Sequence, residues 1–221
     1  MWFIEWSQRC LPIHAAILGV LLLHSPLAYA QGVEALRGAL DTAGVQTVFP
    51  GDVAYANASI AFNLRYAVSP IAIAYPTSVE QVGAAVAAGA KQHYAISARS
   101  GGHSYVAGGL GGQDGSLVID MSNFENMTVD ENANTVEVGV GMRLGDVALG
   151  LHQYGRALPH GRCTTVGVGG HATGGGFGFQ SRLWGLLLDR VVSETVVLSN
   201  GSIVTASKDE NEDLFWVSRV G

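Results

Sequence analysis

The chain has 221 residues, of which 48% are hydrophobic and 14% charged, and its formal net charge at pH 7 is -6. This length is enough for one sizeable hydrophobic core, and the low charge content excludes an intrinsically disordered chain. No basic run or basic helix face is present, so no nucleic-acid partner is expected.

The first part of the chain predicts a helix followed by a β-α-β unit, the usual start of an α/β nucleotide-type site. Thr77 and Glu80 form a capping box, and the helix that follows should place one apolar face, made of Val79, Val82, Val86 and Ala90, against the core. The predicted elements are a helix over Gln31–Ala43 closed by Gly44, an irregular stretch over Val48–Pro70, a strand over Ile71–Tyr75, a helix that runs to Lys91 and a strand over Tyr94–Ala98.

The second part predicts short strands with one helix between them. Asn200-Gly201 is a strong two-residue turn signal and predicts a hairpin. The predicted elements are strands over Leu117–Asp120, Met127–Asp130 and Thr135–Val140, a helix over Leu144–Tyr154 stopped by Gly155, strands over Val191–Leu198 and Ile203–Ala206, and a helix start over Asp209–Trp216. Apolar residues follow at the end of the sequence, so we expect it to be the first part of a longer protein.

Residues 1–30 are predicted to be a secretory signal peptide. Arg9 lies in a weakly basic start, an apolar run covers Ala15–Leu23, and Ala28-Tyr29-Ala30 has the pattern of a cleavage site. The run is too short to span a membrane, so we expect an extracellular protein that begins at Gln31 and has no membrane partner. The alternative is an ordinary buried N-terminal helix.

Three N-glycosylation triplets agree with secretion, although each is short enough to arise by chance. They are Asn57-Ala58-Ser59, Asn126-Met127-Thr128 and Asn200-Gly201-Ser202.

Two glycine-rich segments each contain one reactive side chain. RSGGHSY, residues Arg99–Tyr105, contains His103, and the longer segment Pro159–Phe179 contains Cys163. Cys163 is the only cysteine after residue 30, so a secreted chain could not form an internal disulfide. The thiol is then buried and inert, exposed and reactive, or bonded to a group that is not protein, and its surroundings favour the third case.

The glycine segments could hold a phosphate-bearing ligand, because main-chain N–H groups in glycine loops bind anions. Neither segment matches the GxGxxG or GxxxxGK[ST] fingerprint, so a large ligand held by another architecture and plain flexible loops both stay open. His160 and His171 flank Cys163, but their spacing matches no standard zinc pattern, and no metal is predicted. His171 is expected in the wall of a cofactor pocket or hydrogen-bonded to the nearby loop.

Several longer stretches together carry a family resemblance. They are YPTSVEQV (Tyr75–Val82), RSGGHSY, LVIDMSNF (Leu117–Phe124), ALPHGRCTTVGVGGHATGGGFG (Ala157–Gly178) and NEDLFW (Asn211–Trp216). With them the sequence resembles the berberine-bridge-type enzymes of the vanillyl-alcohol-oxidase group of FAD-linked oxidases, and most of all secreted fungal carbohydrate and alcohol oxidases. The resemblance implies an α+β fold: an N-terminal extension over residues 31–66, then a PCMH-type FAD-binding domain of two small α/β subdomains over 67–221, truncated before the substrate domain.

The resemblance also implies a covalent FAD, with His103 bonded to the flavin 8α-methyl carbon and Cys163 to flavin C6. Val166 falls where family members control oxygen access, although it could equally be a packing residue. The implied cofactor-binding set is Arg99, Ser100, Gly101, Gly102, His103, Ser104, Tyr105, Gly161, Cys163, Val166, Gly167, Gly169, Gly170, His171, Gly174, Gly175 and Gly178.

The implied activity is oxidation of a small alcohol or carbohydrate by hydride transfer to flavin N5, with O₂ as acceptor, in a monomeric enzyme. The catalytic base is expected beyond this sequence, so none is named and this chain alone should not turn over. Two alternatives are a non-catalytic remnant that binds flavin or nothing, and a dehydrogenase that uses another acceptor.

Overall fold

The computed structural model describes residues 26–220 of the chain, and side chains from 29 to 219. Most of the predicted signal peptide, including Arg9 and Ala15–Leu23, lies outside these residues. Within the described part, no helix is long and apolar enough to cross a bilayer.

The elements of the first part are α1 Pro26–Thr42, β1 Gln46–Val48, α2 Tyr55–Ala58, β2 Ala72–Tyr75, α3 Val79–Lys91, β3 Ile96–Arg99 and β4 Leu117–Asp120. Those of the second part are β5 Met127–Asp130, β6 Thr135–Val138, α4 Leu144–His152, α5 Val168–Thr173, α6 Ser181–Trp184, β7 Ser193–Val197, β8 Ile203–Ser207 and α7 Glu212–Val220. The mixed helix and strand architecture confirms the predicted fold class.

A four-stranded sheet with the order β1-β2-β4-β3 forms the centre of the first part. β2, β4 and β3 are parallel, and β1 is antiparallel to β2. The predicted β-α-β unit is present, but β4 lies between its two strands. All four residues of β4 are buried, as the continuous apolar run Leu-Val-Ile predicts for a central parallel strand.

The two faces of this sheet are covered differently. Alternate strand residues such as Leu117 and Ile119 pack against α1 and α3. In α1, Leu36 and Leu40 are fully buried. Burying a leucine in this way stabilises the fold by ~1.5–3 kcal/mol. On the opposite face, Val118 packs against loop residues and Leu110 of the short 3₁₀ helix Gly108–Leu110. This second face borders the candidate site.

The second part consists of two hairpins with helices packed on them. Val147 and Leu151 of α4 pack on the β5–β6 hairpin, and α7 packs on the β7–β8 hairpin. The β7–β8 hairpin also contacts α3, where an ideal Cβ on Gly83 would lie 2.5 Å from the carbonyl oxygen of Gly201.

Several sequence predictions were wrong in detail for α3. The N-cap is Ser78 rather than Thr77, and its hydroxyl accepts the N–H of Gln81 at 3.3 Å. Gln81 takes the place of Glu80 in the reciprocal bond, because its side chain accepts from Thr77 N at 2.7 Å. Ala90, predicted on the buried face, is exposed.

Other corrections concern the connections. The stretch predicted as irregular includes Val48, the last residue of β1, and the short helix α2. The β7–β8 turn is not a two-residue loop: Gly201 N donates to Leu198 O at 2.8 Å, so Ser199 and Asn200 are the central pair. Gly201 follows with φ +85° as a bulge, a common three-residue hairpin form.

Candidate functional site

The carboxyl ends of the three parallel strands place a row of polar side chains along one edge of the sheet. Arg99 of β3 is in register with Asp120 of β4, and Tyr75 ends the neighbouring strand β2. Ligands of open α/β sheets usually bind outside this edge. Here the row forms the floor of a cavity.

Arg99 and Asp120 form an ion pair through Nε and Oδ2, with side chains only 12% and 8% exposed. Each has a further partner: Arg99 Nη1 donates to Ala58 O at 2.7 Å, and the Asp120 carboxylate accepts Ser122 N at 2.9 Å. Burial raises the pKa of the adjacent Tyr75 hydroxyl above its ordinary value, although Arg99 opposes the shift. The pair therefore fixes the start of the first glycine segment to the sheet and to the chain near α2.

The first glycine segment turns away from the sheet directly after Arg99. Gly102 has φ +70°, in the left-handed region that favours glycine. Ser104 stabilises the turn, since its hydroxyl accepts the N–H of Gly108 at 2.9 Å. His103, half-buried, stacks on Phe62 with ring centroids 4.3 Å apart.

The cavity above this segment has a volume of about 560 Å³, within the range of roughly 300–1,000 Å³ that is typical of small-molecule and cofactor sites. Five of the predicted site residues line it: Arg99, Ser100, Gly101, Gly102 and His103. Residues from the stretch 57–64 also line it, and we call them the cavity wall.

The second glycine segment crosses the first at Gly167. An ideal Cβ on Gly101 would lie 2.2 Å from Gly167 N, and one on Gly167 would lie 2.1 Å from Gly101 N. Neither position can hold a side chain without moving the main chain. The two segments, 66 residues apart in sequence at this crossing, are thus brought together.

Hydrogen bonds hold the second segment on both sides of the crossing. Leu144 N donates to Val166 O and Val168 N donates to Met142 O, both at 2.9 Å, so the segment pairs with the chain before α4. Ser100 bridges the segments, because its hydroxyl donates to Val140 O at 2.5 Å and accepts Gly169 N at 3.3 Å.

Cys163 lies in the same segment as a free, exposed thiol. It is not among the residues that line the cavity. Of the three states that the sequence left open for this thiol, the structure excludes a buried, inert one.

His171 ties the Cys163 turn to α5. Its Nε2 accepts the N–H of Gly161 at 2.9 Å, which requires the neutral ring, and the expected bond to the nearby loop is confirmed. Burial lowers the pKa of His171 below 6.5, and His160 lowers it further. His160 is itself bonded through Nδ1 to Gly161 O at 2.7 Å. Within residues 26–220, no group of three His, Cys, Asp or Glu residues could hold a metal ion.

The remaining predicted site residues have different surroundings. Gly175 has φ +99°, and an ideal Cβ on Gly178 would lie 1.8 Å from His160 O. Gly170 has open space around it, and Gly174 has ordinary φ with its nearest contact at 3.1 Å, so neither is required to be glycine by this structure. Tyr105 is 72% exposed and packs edge-on against Phe62.

Sequence reasoning missed three parts of the site: the wall that contains Phe62, the buried carboxylate Asp120, and Arg143. Arg143 Nη1 donates to Thr165 O at 3.2 Å and lies beside Gly101. A usable signal existed for Asp120, because it ends a buried parallel strand next to the strand that ends in Arg99. The other two depend on contacts between distant parts of the chain.

A family model described as an FAD binding domain matches residues 70–207. The chain belongs to this family of FAD-binding-domain proteins. It is 47% identical over 184 residues to a chitooligosaccharide oxidase of Gibberella zeae. The aligned region covers 83% of this chain and 37% of the relative. The chain therefore spans well under half the length of the relatives it matches.

Two solved structures extend the comparison. Physcomitrella patens BBE-like 1 superposes with a TM-score of 0.81 at 43% identity and covers 83% of this chain and 40% of that one. The second is a glucooligosaccharide oxidase of Acremonium strictum that carries a 6-S-cysteinyl, 8α-N1-histidyl FAD. It superposes with a TM-score of 0.81 at 43% identity, and the match covers 85% of this chain and 39% of that one. Both likenesses confirm the predicted berberine-bridge-type resemblance.

The residues of this FAD-binding domain fit their cofactor. The cavity is large enough to admit part of an FAD, its lining presents the His103 imidazole, and glycine main chain replaces side chains where the two segments cross. Main-chain N–H groups of glycine-rich turns suit the pyrophosphate, and imidazole and thiol suit covalent attachment to the flavin ring.

Proposed function

We propose that this chain forms the flavin-binding part of a secreted FAD-linked oxidoreductase that oxidises an alcohol or carbohydrate. The observation that carries the proposal is the crossing of the two glycine segments at Gly101 and Gly167, which joins the segment of His103 to that of Cys163 in one structure. The FAD-binding family and the carbohydrate oxidases among its relatives support the same assignment.

The roles follow from the contacts of each segment. Bound FAD would supply a hydride acceptor at flavin N5. His103 and Cys163 would hold the flavin ring by two covalent bonds, and Arg99, buried against Asp120, would fix the segment that carries His103. His171, neutral and bonded to Gly161, would hold the Cys163 turn.

A matched set of variants of the full-length protein tests the tether. After acid precipitation, His103→Ala and Cys163→Ala should each retain the flavin by one remaining bond, and the double variant should release it. Cys163→Ser serves as the near-isosteric control for Cys163→Ala. Release of all flavin from the wild-type protein would refute covalent attachment.

The substrate class is proposed from the relatives, since one of them is named for chitooligosaccharides. A panel of oligosaccharides and simple alcohols, each assayed for peroxide release and for reduction of a dye acceptor, tests the substrate and the acceptor together. Peroxide release that exceeds dye reduction supports an oxidase, and the reverse indicates a dehydrogenase. Loss of both activities in the His103→Ala, Cys163→Ala double variant would connect turnover to this site.

Secretion and glycosylation are also proposed. N-terminal sequencing of secreted material should begin at Gln31, and an intact Met1 would contradict cleavage. Asn126 and Asn200 are exposed away from the cavity, whereas Asn57 lines it. Glycans mapped by mass spectrometry should therefore be found at the first two positions and be absent from Asn57.

We further propose that the protein is a monomer. Light scattering of the full-length protein tests this.

A further inference from the structure

Phe62 covers one face of the imidazole that is proposed to carry the flavin. The ring centroids of Phe62 and His103 are 4.3 Å apart and the ring planes differ by 27°, which is a stacked pair. Phe62 lies N-terminal to the residues matched by the family model, in the stretch that sequence reasoning treated as irregular. Both side chains line the same cavity.

Core packing does not explain this position. Phe62 is 48% exposed, although its neighbour Ala61 is buried in the cluster under the sheet. The Phe62 side chain lines the cavity instead. Phe62 therefore shares with His103 both the cavity lining and a stacked ring contact.

The segment that carries Phe62 is fixed at both ends. Arg99 Nη1 donates to Ala58 O at 2.7 Å, and Asn63 Nδ2 donates to Tyr105 O at 2.9 Å. The Phe62 ring also meets the edge of Tyr105 at 5.5 Å with an interplanar angle of 89°. Phe62 is therefore connected to the residues on both sides of His103.

His103 lacks other means of orientation in the part of the chain that the structure describes. No hydrogen bond among residues 26–220 reaches its ring, whereas His160 and His171 are both hydrogen-bonded through a ring nitrogen. Stacking covers the face of a ring and leaves the nitrogen lone pair, which lies in the ring plane, free to react. The Phe62 contact can thus orient the imidazole without blocking it.

We propose that Phe62 is a positioning residue that orients His103 for bond formation with the flavin; this rests on the proposed function. An N–C bond forms between an imidazole nitrogen and the 8α-carbon, and the imidazole N–H and one 8α C–H each lose a proton. Two electrons pass into the flavin ring, and dioxygen accepts them with the two protons to give hydrogen peroxide. Orientation matters because a displacement of about 1 Å can slow a reaction ~100-fold.

The kinetic test uses the full-length protein in a Cys163→Ala background, so that His103 is the only attachment point. Flavin-free protein is mixed with FAD in air, and the acid-stable flavin fraction is followed with time. Phe62→Ala should slow attachment roughly tenfold or more, and Phe62→Tyr, which keeps the stacked ring, should restore it. Tyr154→Ala removes an aromatic ring of similar exposure from the turn after α4 and should have no effect.

A second measurement tests the contact without flavin. In flavin-free protein with labelled histidine, the ring protons of His103 should be shifted upfield by the Phe62 ring current, and Phe62→Ala should abolish that shift. Equal attachment rates in Phe62→Ala and the parent would overturn the proposal, and so would an unshifted His103 in the parent. If no variant attaches flavin at all, the tether is wrong, and the ring-current shift alone decides whether Phe62 orients His103.

Discussion

The two glycine segments hold their reactive side chains by different physical means. His103 follows an arginine that is buried in an ion pair with Asp120, and its ring packs on Phe62. Cys163 is exposed, and its segment is held by main-chain pairing and by the close approach of Gly167 to Gly101. A buried ion pair fixes the first segment, whereas the second relies on main-chain pairing, a glycine-to-glycine approach and the His171 bond to Gly161.

This difference suggests how each segment can fail. The first segment depends on satisfied buried charge, so the loss of one partner leaves an uncompensated ion. The second depends on clearance between two backbones, so any added atom forces them apart. The crossing at Gly101 belongs to both segments, and a change there should disturb both attachment points.

The largest expected effect is on the first segment. Asp120→Ala should lower the free energy of unfolding by ~3–5 kcal/mol, because it leaves the Arg99 guanidinium buried without its partner. Urea unfolding of the flavin-free full-length protein measures this. Asp41→Ala, an exposed carboxylate at the end of α1, is the control and should change stability by less than ~0.5 kcal/mol.

An apolar double replacement sharpens the same prediction. Arg99→Met combined with Asp120→Leu should be less destabilised than Asp120→Ala, since no buried charge is left unpaired. A double variant that is as unstable as the sum of its single variants would show that the pair does not act as a unit.

A smaller effect is expected at the crossing of the segments. Gly167→Ala should destabilise the protein by ~1–3 kcal/mol or more, because the new Cβ would lie 2.1 Å from Gly101 N. Gly38→Ala, on an exposed face of α1 with nothing within 4 Å, should instead be neutral or stabilising by up to ~1 kcal/mol. Gly167→Ala with wild-type stability would contradict the close contact.

Sequence reasoning predicted the local features well and the non-local ones poorly. The strand Leu117–Asp120 was predicted with its observed bounds, because an apolar run in a buried strand is a local signal. The α3 cap was displaced by one residue, since both Thr77 and Ser78 can cap and only the structure shows which hydroxyl meets Gln81. Clustered glycines located both glycine segments, and the family resemblance supplied the proposed roles of their side chains.

The wall of the cavity could not be predicted in the same way. Its position depends on Arg99 reaching Ala58 across 41 residues and on Asn63 reaching Tyr105 across 42. No periodicity in the stretch 57–64 encodes such contacts. The exposure of Cys163 likewise depends on packing between distant segments.

The smallest expected effect is a dependence of stability on pH through His171. Its folded-state pKa lies below the ordinary 6.5, first because of burial and second because of His160. The unfolded chain therefore binds more protons just below pH 6.5, so the stabilisation from neutral His171 is complete above 6.5 and is lost as the pH falls through the lowered value. The hydrogen bond from Gly161 N to His171 Nε2, which needs the neutral ring, contributes ~0.5–1.5 kcal/mol to the free energy of unfolding.

To test this pH dependence, the free energy of unfolding is measured at pH 7.5 and at pH 5.5, and the difference between the two values is compared among variants. His171→Gln should show a smaller difference between the two than the wild-type protein, because glutamine does not titrate. His152→Gln, at the exposed end of α4, should keep the wild-type difference. An unchanged difference in His171→Gln would assign the pH dependence to other groups.

The central claim is that one flavin bridges the two segments. Peptide mapping of the full-length holoprotein by mass spectrometry tests this directly. We expect a single cross-linked species in which the peptide with His103 and the peptide with Cys163 share one flavin. Recovery of both peptides unmodified, or of a flavin on another residue, would contradict the account.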